Sequence, residues 1–438
     1  MRWLFALMLA TAAGGAGAAS SLALSPARIT RLDSLPAGAS IVLDRFPDGF
    51  GGSDSLRFER IDIYARGARL LATTADGERE IPRSRRRELV GANAAGDIRA
   101  VLAFDPGFRN VAGGGTTALG AFVVAVQRDR NGVRLLAMPA AQALPAGVTP
   151  DIIAGDDALA GGRALPGPLA TAPGASVLHG VPRGATVAVD TDNELMSLRF
   201  GNDTGAAADW IADLFGAMNV MYLRDLDVML LQGTTYLRTT TDPYTQTGTP
   251  ANQADLTEFG DYWQDHYANV PRSFALLLSG KAQDGNHASG IAWLDAYCRT
   301  QSQGGSYSVN QVFTNAQIGV AYSTLIVGHE LGHNFGAYHT HCTNVSTGGA
   351  PTGSGTIDKC YSGEPDCYSG ATSCPTSGPG APAGTVMSYC NSIQCGPTGQ
   401  NVLQFHPTQV GVLSTLIAQN TPSCLSAYTD LIFGDGFE

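Results

Sequence analysis

The stretch "GHELGHNFGAYHTHC", Gly328 to Cys342, carries four of the 8 histidines in this 438-residue chain. They are His329, His333, His339 and His341. The preceding residues, "YSTLIVGHELGHNF" (Tyr322 to Phe335), read as a buried apolar helix. Residues four apart on a helix leave from one face, so His329 and His333 project side by side. Two imidazoles so placed begin a tetrahedral Zn2+ site, which favours nitrogen ligands. Glu330 points about 100° around the helix from His329, beside such an ion and not on it. That position suits a general base acting on a metal-activated water.

Gly336 follows His333 by three residues. A glycine there can take a left-handed conformation, end the helix and turn the chain. His339 then swings back as a third ligand, leaving the fourth position for water, the arrangement of a catalytic rather than a structural zinc. His341 has no place in that geometry and reads as a residue behind a ligand or on the surface. The alternative, a buried helix with satisfied core histidines, does not account for five fixed positions in one short run.

Composition frames the rest. Charged residues are 15% of the chain, Gly (54) and Pro (23) are plentiful, and the formal net charge is −11. No basic face suggests a nucleic-acid partner. The N-terminus "MRWLFALMLATAAGGAGAAS" has a basic start, a short apolar run and small residues, and reads as a signal peptide over residues 1–19, hence an exported, extracellular protein. No later segment is long and apolar enough for a transmembrane helix. Eight cysteines, all from Cys298 onward, suggest disulfides in an oxidising compartment. Their spacing lacks the paired C-x2-C units of a thiolate zinc site.

Residues 20–160 contain alternating runs, "SLRFERIDIYA", "DIRAVLAFD" and "ALGAFVVAVQRD", bounded by Gly, Asp or Pro. These predict strands, with no helix bearing an apolar stripe, and so a β-rich unit, either a pro-region or an accessory domain. "RSRRR" (Arg83 to Arg87) reads as a solvated basic loop more readily than a processing site. Residues 161–184, rich in Gly, Pro and Ala, read as a linker. From 185 to 425 strand and helix patterns alternate: "ATVAVDTD", "GAAADWIADLFGAMNVMYLRD", "LDVMLLQG", "DLTEFGDYWQDHYANV" and "SFALLLSG". That order predicts an α/β unit with a twisted, mostly parallel sheet and the histidine helix. His266, inside the second of these helices, reads as structural.

His329, Glu330, His333, Gly336 and His339 together resemble the metzincin signature of zinc endopeptidases. "GTVMSYC" (Gly384 to Cys390) resembles the methionine turn of that family, with Met387 48 residues beyond His339. "LDVMLLQGTTYL" and "SGIAWLDAYC" make the chain most similar to the adamalysin, or reprolysin, group. The resemblance implies peptide-bond hydrolysis with one catalytic Zn2+, protein or peptide substrates laid along an edge strand near Asn286 to Trp293, a Cys298–Cys424 disulfide and a monomeric enzyme. A calcium requirement is not legible.

Three departures stand out. Thr340 occupies the position where the group carries Asp. Tyr389, two after the methionine, matches a tyrosine that assists the oxyanion in the astacin and serralysin groups; here it either does so or packs under the site. No cysteine precedes Cys298, so latency by a pro-region thiol is excluded and steric coverage by the β-rich unit is expected instead. A retained Glu330 argues against a purely structural zinc protein, and the methionine turn against a hydrolase of other substrates. The tail after residue 425 ends in "DGFE", resembling tails on exported bacterial proteins; on that reading the sequons at Asn202 and Asn344 carry no sugar.

Overall fold

The computed structural model describes residues 20–129, 132–153, 158–159, 182–282, 284–349, 355–374, 384–390 and 401–428. The expected signal peptide and nearly all of the expected linker lie outside the described residues, as does the tail beyond residue 428.

Two sheets organise the molecule. The first is wholly antiparallel, in the spatial order Ser21–Leu24, Gly132–Pro139, Gly120–Asp129, Val111–Thr117, Arg99–Phe104, Arg87–Ala92, Ser53–Ile61 and Ser40–Pro47. Alternation along these strands sends Leu22, Leu24, Leu43, Phe46, Leu56, Phe58, Leu102, Phe104 and Leu135 into one buried cluster. One short helix, Pro26–Asp33, interrupts the expected all-strand pattern. It lacks a broad apolar stripe and buries only Leu32, with Ser25 capping its start by accepting from Arg28 N.

The second sheet is mixed. Its centre is parallel: Tyr307–Gln311, Phe274–Ser279, Arg183–Thr191 and Val228–Arg238 in spatial order. Val, Leu and Ala runs in the last three of these suit strands buried on both faces, and Tyr307–Gln311 is buried although largely polar. The 23-residue helix Thr204–Leu226 and the histidine helix, Val320–Asn334, pack on one side in the largest core. The helix Gln253–Tyr267 packs on the other with Trp263, Phe259 and Tyr307. His266 lies exposed on that helix, its ring stacked on Tyr262 and its Nδ1 3.0 Å from Tyr262 O.

The two sequence regions are not confined to one sheet each. The hairpin Leu70–Thr74 and Gly77–Ile81 joins the second sheet beside Val228–Arg238. Residues 151–152 and 158–159 pair in parallel with His287–Trp293 at the other end. The basic run is a loop with Arg83 and Arg85 exposed, as expected, but its last two arginines are not solvated. Arg86 is buried between Asp105 and Asp213, and Arg87 pairs with Asp33. Arg86 and Arg87 sit side by side there because Asp105, Asp213 of the long helix and Asp33 of the short helix meet them.

Candidate metal centre

The histidine helix ends as its glycine requires. Gly336 has φ +100, its N–H donates to His333 O at 2.8 Å, and Ala337 N–H donates to Gly332 O at 2.9 Å. This is the paired closure of a Schellman turn, which only a residue at ease with positive φ can form without strain. The helix is fixed to the sheet by Asn334, whose Nδ2 donates to Trp293 O (2.8 Å) and Tyr307 O (3.0 Å).

That turn brings His339 back onto His329 and His333. His333 Nε2 lies 3.0 Å from His329 Nε2 and 3.1 Å from His339 Nε2. The other nitrogen of each ring faces an oxygen: His329 Nδ1 and Val386 O at 2.8 Å, His333 Nδ1 and Ala337 O at 2.6 Å, His339 Nδ1 and Glu364 Oε2 at 2.6 Å. An Nδ1–H donated to oxygen leaves a lone pair on Nε2. Three buried lone pairs aimed at one another repel unless a cation stands among them. Zn–N bonds of about 2.0–2.1 Å in a tetrahedron put ligand nitrogens roughly 3.3 Å apart, close to the spacing here. Neutral imidazole suits zinc, so the donor set fits that ion. Two other groups of potential ligands exist among the described residues: His339, His341, Cys342 and Glu364, and Asp358, Cys360 and Cys390. Their cysteines are spent in the Cys342–Cys367 and Cys360–Cys390 disulfides.

Glu330 is fully buried on the same helix, against His287–Trp293. The strand passes it at Gly290, where a Cβ would stand 2.4 Å from Glu330 Cγ and Oε1. The glycine is what lets the carboxylate lie there. Met387, fully buried, sits under the helix between the two histidines: a Cβ on Gly332 would meet its sulfur at 2.6 Å. The turn carrying Met387 also supplies Val386 O to His329 and accepts the Thr340 N–H on Met387 O at 3.1 Å. Tyr389 is buried, its ring centroid 4.5 Å from that of His339 and 5.9 Å from that of His329.

His341 is buried behind His339, the two rings nearly parallel at 5.1 Å. Its Nε2 lies 2.8 Å from Glu364 Oε2, the same oxygen that faces His339. Burial alone would raise the Glu364 carboxyl, but the two imidazoles hold it well below the carboxylate range. Burial depresses the His341 imidazole, against the pull of Glu364. Sequence reading missed Glu364 and Gly290. It also missed Asp358, which accepts a hydrogen bond from the Thr340 hydroxyl and so supplies, from 18 residues downstream, a carboxylate at the position of the Thr-for-Asp departure. The departure itself was the one signal that a carboxylate had to come from elsewhere. The Cys298–Cys424 pairing forms as the resemblance implied.

The expected substrate strand is covered. Asp151 N donates to Asn286 O (2.9 Å) and Ile153 N to Ala288 O (2.8 Å), and Ala158 and Leu159 stand opposite Ala292 and Trp293.

A family model described as Reprolysin_5, metallo-peptidase family M12, matches residues 181–405. The chain belongs to the M12 metallo-peptidase family and is a zinc metalloprotease of reprolysin-like type. No curated protein matches it by sequence. Among solved structures it is similar to metalloproteinase-II from Bacteroides fragilis, at 10% identity and a TM-score of 0.36, over 70% of this chain and 82% of that one.

Proposed function

We propose that the protein is an exported zinc endopeptidase of the metzincin type, made in a latent form, with His329, His333 and His339 as metal ligands and Glu330 as general base. The observation that supports this best is the division of labour among six ring nitrogens: three Nδ1 face oxygen, three Nε2 converge. When bound, zinc supplies a Lewis acid that lowers the pKa of water toward about 7 and polarises a carbonyl. Glu330 takes the proton of the attacking water and returns it to the departing amine. Gly290 keeps that carboxylate in place. The Tyr389 phenol is a hydrogen-bond donor for the developing oxyanion.

Residues 20–160 act as a pro-region. An extended substrate would add to the strand His287–Trp293 through its backbone groups. Residues 151–153 and 158–159 already use that row, so substrate and pro-segment compete for the same donors and acceptors. Cleavage within 161–184 followed by loss of the segment opens the strand. Export fits the N-terminal leader and the three disulfides among the described residues. No helix of the described residues is long and apolar enough to cross a membrane.

The test is hydrolysis of unfolded casein by the full chain and by a species cut within 161–184, each with and without a zinc chelator. Chelator-sensitive activity confined to the cut species is expected. Equal activity of the uncut chain refutes latency, and chelator-resistant cleavage refutes the zinc mechanism.

A further inference from the structure

We propose that Glu364 is the positioning residue for the third imidazole, His339, and that His341 and a disulfide-stapled loop hold it to that task. The inference rests on the zinc-site reading above.

The three histidines are oriented in two different ways. His329 and His333 leave from a helix, and their Nδ1 atoms face main-chain carbonyls, Val386 O and Ala337 O, that the fold supplies in any case. His339 lies beyond the helix, after Gly336, where no helical frame fixes the ring. Its Nδ1 faces a side chain from 25 residues downstream, Glu364 Oε2, at 2.6 Å.

A side chain orients a ring only as well as it is itself held. Glu364 is held from three directions. His341 Nε2, on a ring nearly parallel to that of His339, grips the same oxygen at 2.8 Å. The Cys342–Cys367 disulfide ties the loop to the turn bearing His339, three residues from Glu364. The Cys360–Cys390 disulfide ties it, four residues before Glu364, to the segment just after Tyr389. Tyr368 N donates to His341 O at 3.0 Å, closing the loop against the turn.

The choice of a carboxylate has a chemical consequence. A carboxylate behind an imidazole fixes the tautomer, as a carbonyl does, and also raises the basicity of the opposite nitrogen. His339 therefore becomes the most strongly donating of the three ligands, although it is the one least constrained by its backbone. A separate metal site at His339, His341, Cys342 and Glu364 does not compete with this reading, because the Cys342 sulfur is in a disulfide.

The experiment uses the full chain, stripped of metal and titrated with zinc against a chelating competitor. Wild type, Glu364→Ala, Glu364→Gln and His339→Ala are compared, with melting of each metal-free protein alongside. Zinc affinity should fall roughly 10- to 100-fold in Glu364→Ala. Glu364→Gln should fall between, since its amide oxygen still accepts from Nδ1–H but carries no charge. Its cobalt-substituted form should show a shifted visible spectrum, a change that a purely structural contact would not produce. Wild-type affinity and an unshifted spectrum in Glu364→Gln, with unchanged metal-free melting, would overturn the proposal. Should Glu364→Ala fail to fold, Glu364→Gln decides. If the wild type takes no zinc, or His339→Ala takes it equally well, the zinc-site reading fails instead, and the two failures are told apart.

Discussion

Gly290→Ala is the smallest change that tests the proposed base, Glu330, apart from the proposed metal ligands. The new Cβ would lie 2.4 Å from Glu330 Cγ and Oε1 and 2.5 Å from Cδ. Comfortable carbon contacts lie at about 3.5–4.0 Å, so the carboxylate must move by roughly 1 Å or more. The obstructing atoms belong to a flexible side chain and not to backbone, so the fold should accept the methyl while the base gives way. A misplacement of about 1 Å at a reacting centre costs roughly 100-fold in rate, or about 2.7 kcal/mol of transition-state stabilisation. The assay is kcat/KM on a quenched-fluorescent peptide with the cut enzyme, together with zinc content and melting temperature. The expected result is a loss of about 100-fold, carried by kcat, with zinc content and melting unchanged. Activity within threefold of wild type would refute the placement of Glu330 against this strand. Lost zinc would mean that the strand, and not the base, had moved.

Glu330→Gln should keep its zinc and lose roughly 10²- to 10⁴-fold in kcat, read by metal analysis and turnover together; a fully active variant would sink the general-base role. Tyr389→Phe should lower kcat with little change in melting if the phenol serves the oxyanion, whereas unchanged kcat would make the ring packing alone. Removing the Cys298–Cys424 bridge by a double Ser substitution should cost about 5 kcal/mol on the chain-entropy account of a 126-residue separation, seen in a denaturant midpoint. The contact between Glu88 and the long helix should respond to pH. Burial, then Asp213, raises the Glu88 carboxyl; burial, opposed by Arg86, raises Asp213 to about 6. Acids with raised folded-state pKa values hold more protons when folded, so they cost stability as pH climbs from about 4 through 6 and beyond. Melting of the uncut chain should fall across that window, and Glu88→Gln should flatten the fall; an unchanged slope would exclude the pair as its source.

What was legible in the sequence was what a single helix turn fixes. His329, Glu330 and His333 are related by the pitch of one helix, and Gly336 by the way a helix ends, so their relative positions follow from local geometry without knowledge of the rest of the chain. Three of the central parallel strands, Arg183–Thr191, Val228–Arg238 and Phe274–Ser279, were legible because burial on both faces leaves an apolar run; the fourth, Tyr307–Gln311, is buried yet largely polar and was not. The contacts that complete the site are of another kind. Glu364 meets His339 across 25 residues, and residues 151–152 meet His287 and Ala288 across more than a hundred. No periodicity encodes such meetings; the topology and the disulfides make them.

Thr340 shows how far a local motif misleads when read alone. At that position the sequence lacks the carboxylate that the group carries, which put the subgroup, and not the zinc ligands, in question. In three dimensions the hydroxyl donates to Asp358, whose other oxygen accepts from Cys360 N at 3.0 Å. The same hydroxyl contacts Met387 O at 3.2 Å and Ser388 Oγ at 3.0 Å. One short side chain thus joins the third-histidine turn, the disulfide loop and the methionine turn, and the charge has moved from the motif to the loop. If that is the physical role, Asp358→Asn should be mild, because an amide oxygen still accepts the hydroxyl. Thr340→Val should be severe, because it keeps the volume but removes the hydroxyl donor from a half-buried carboxylate, a lost hydrogen bond to a charged group of roughly 1.5–3 kcal/mol. Measured by denaturant unfolding of the cut enzyme, the order Thr340→Val worse than Asp358→Asn is required. The reverse order would mean that the charge of Asp358, and not its acceptor, supports the centre.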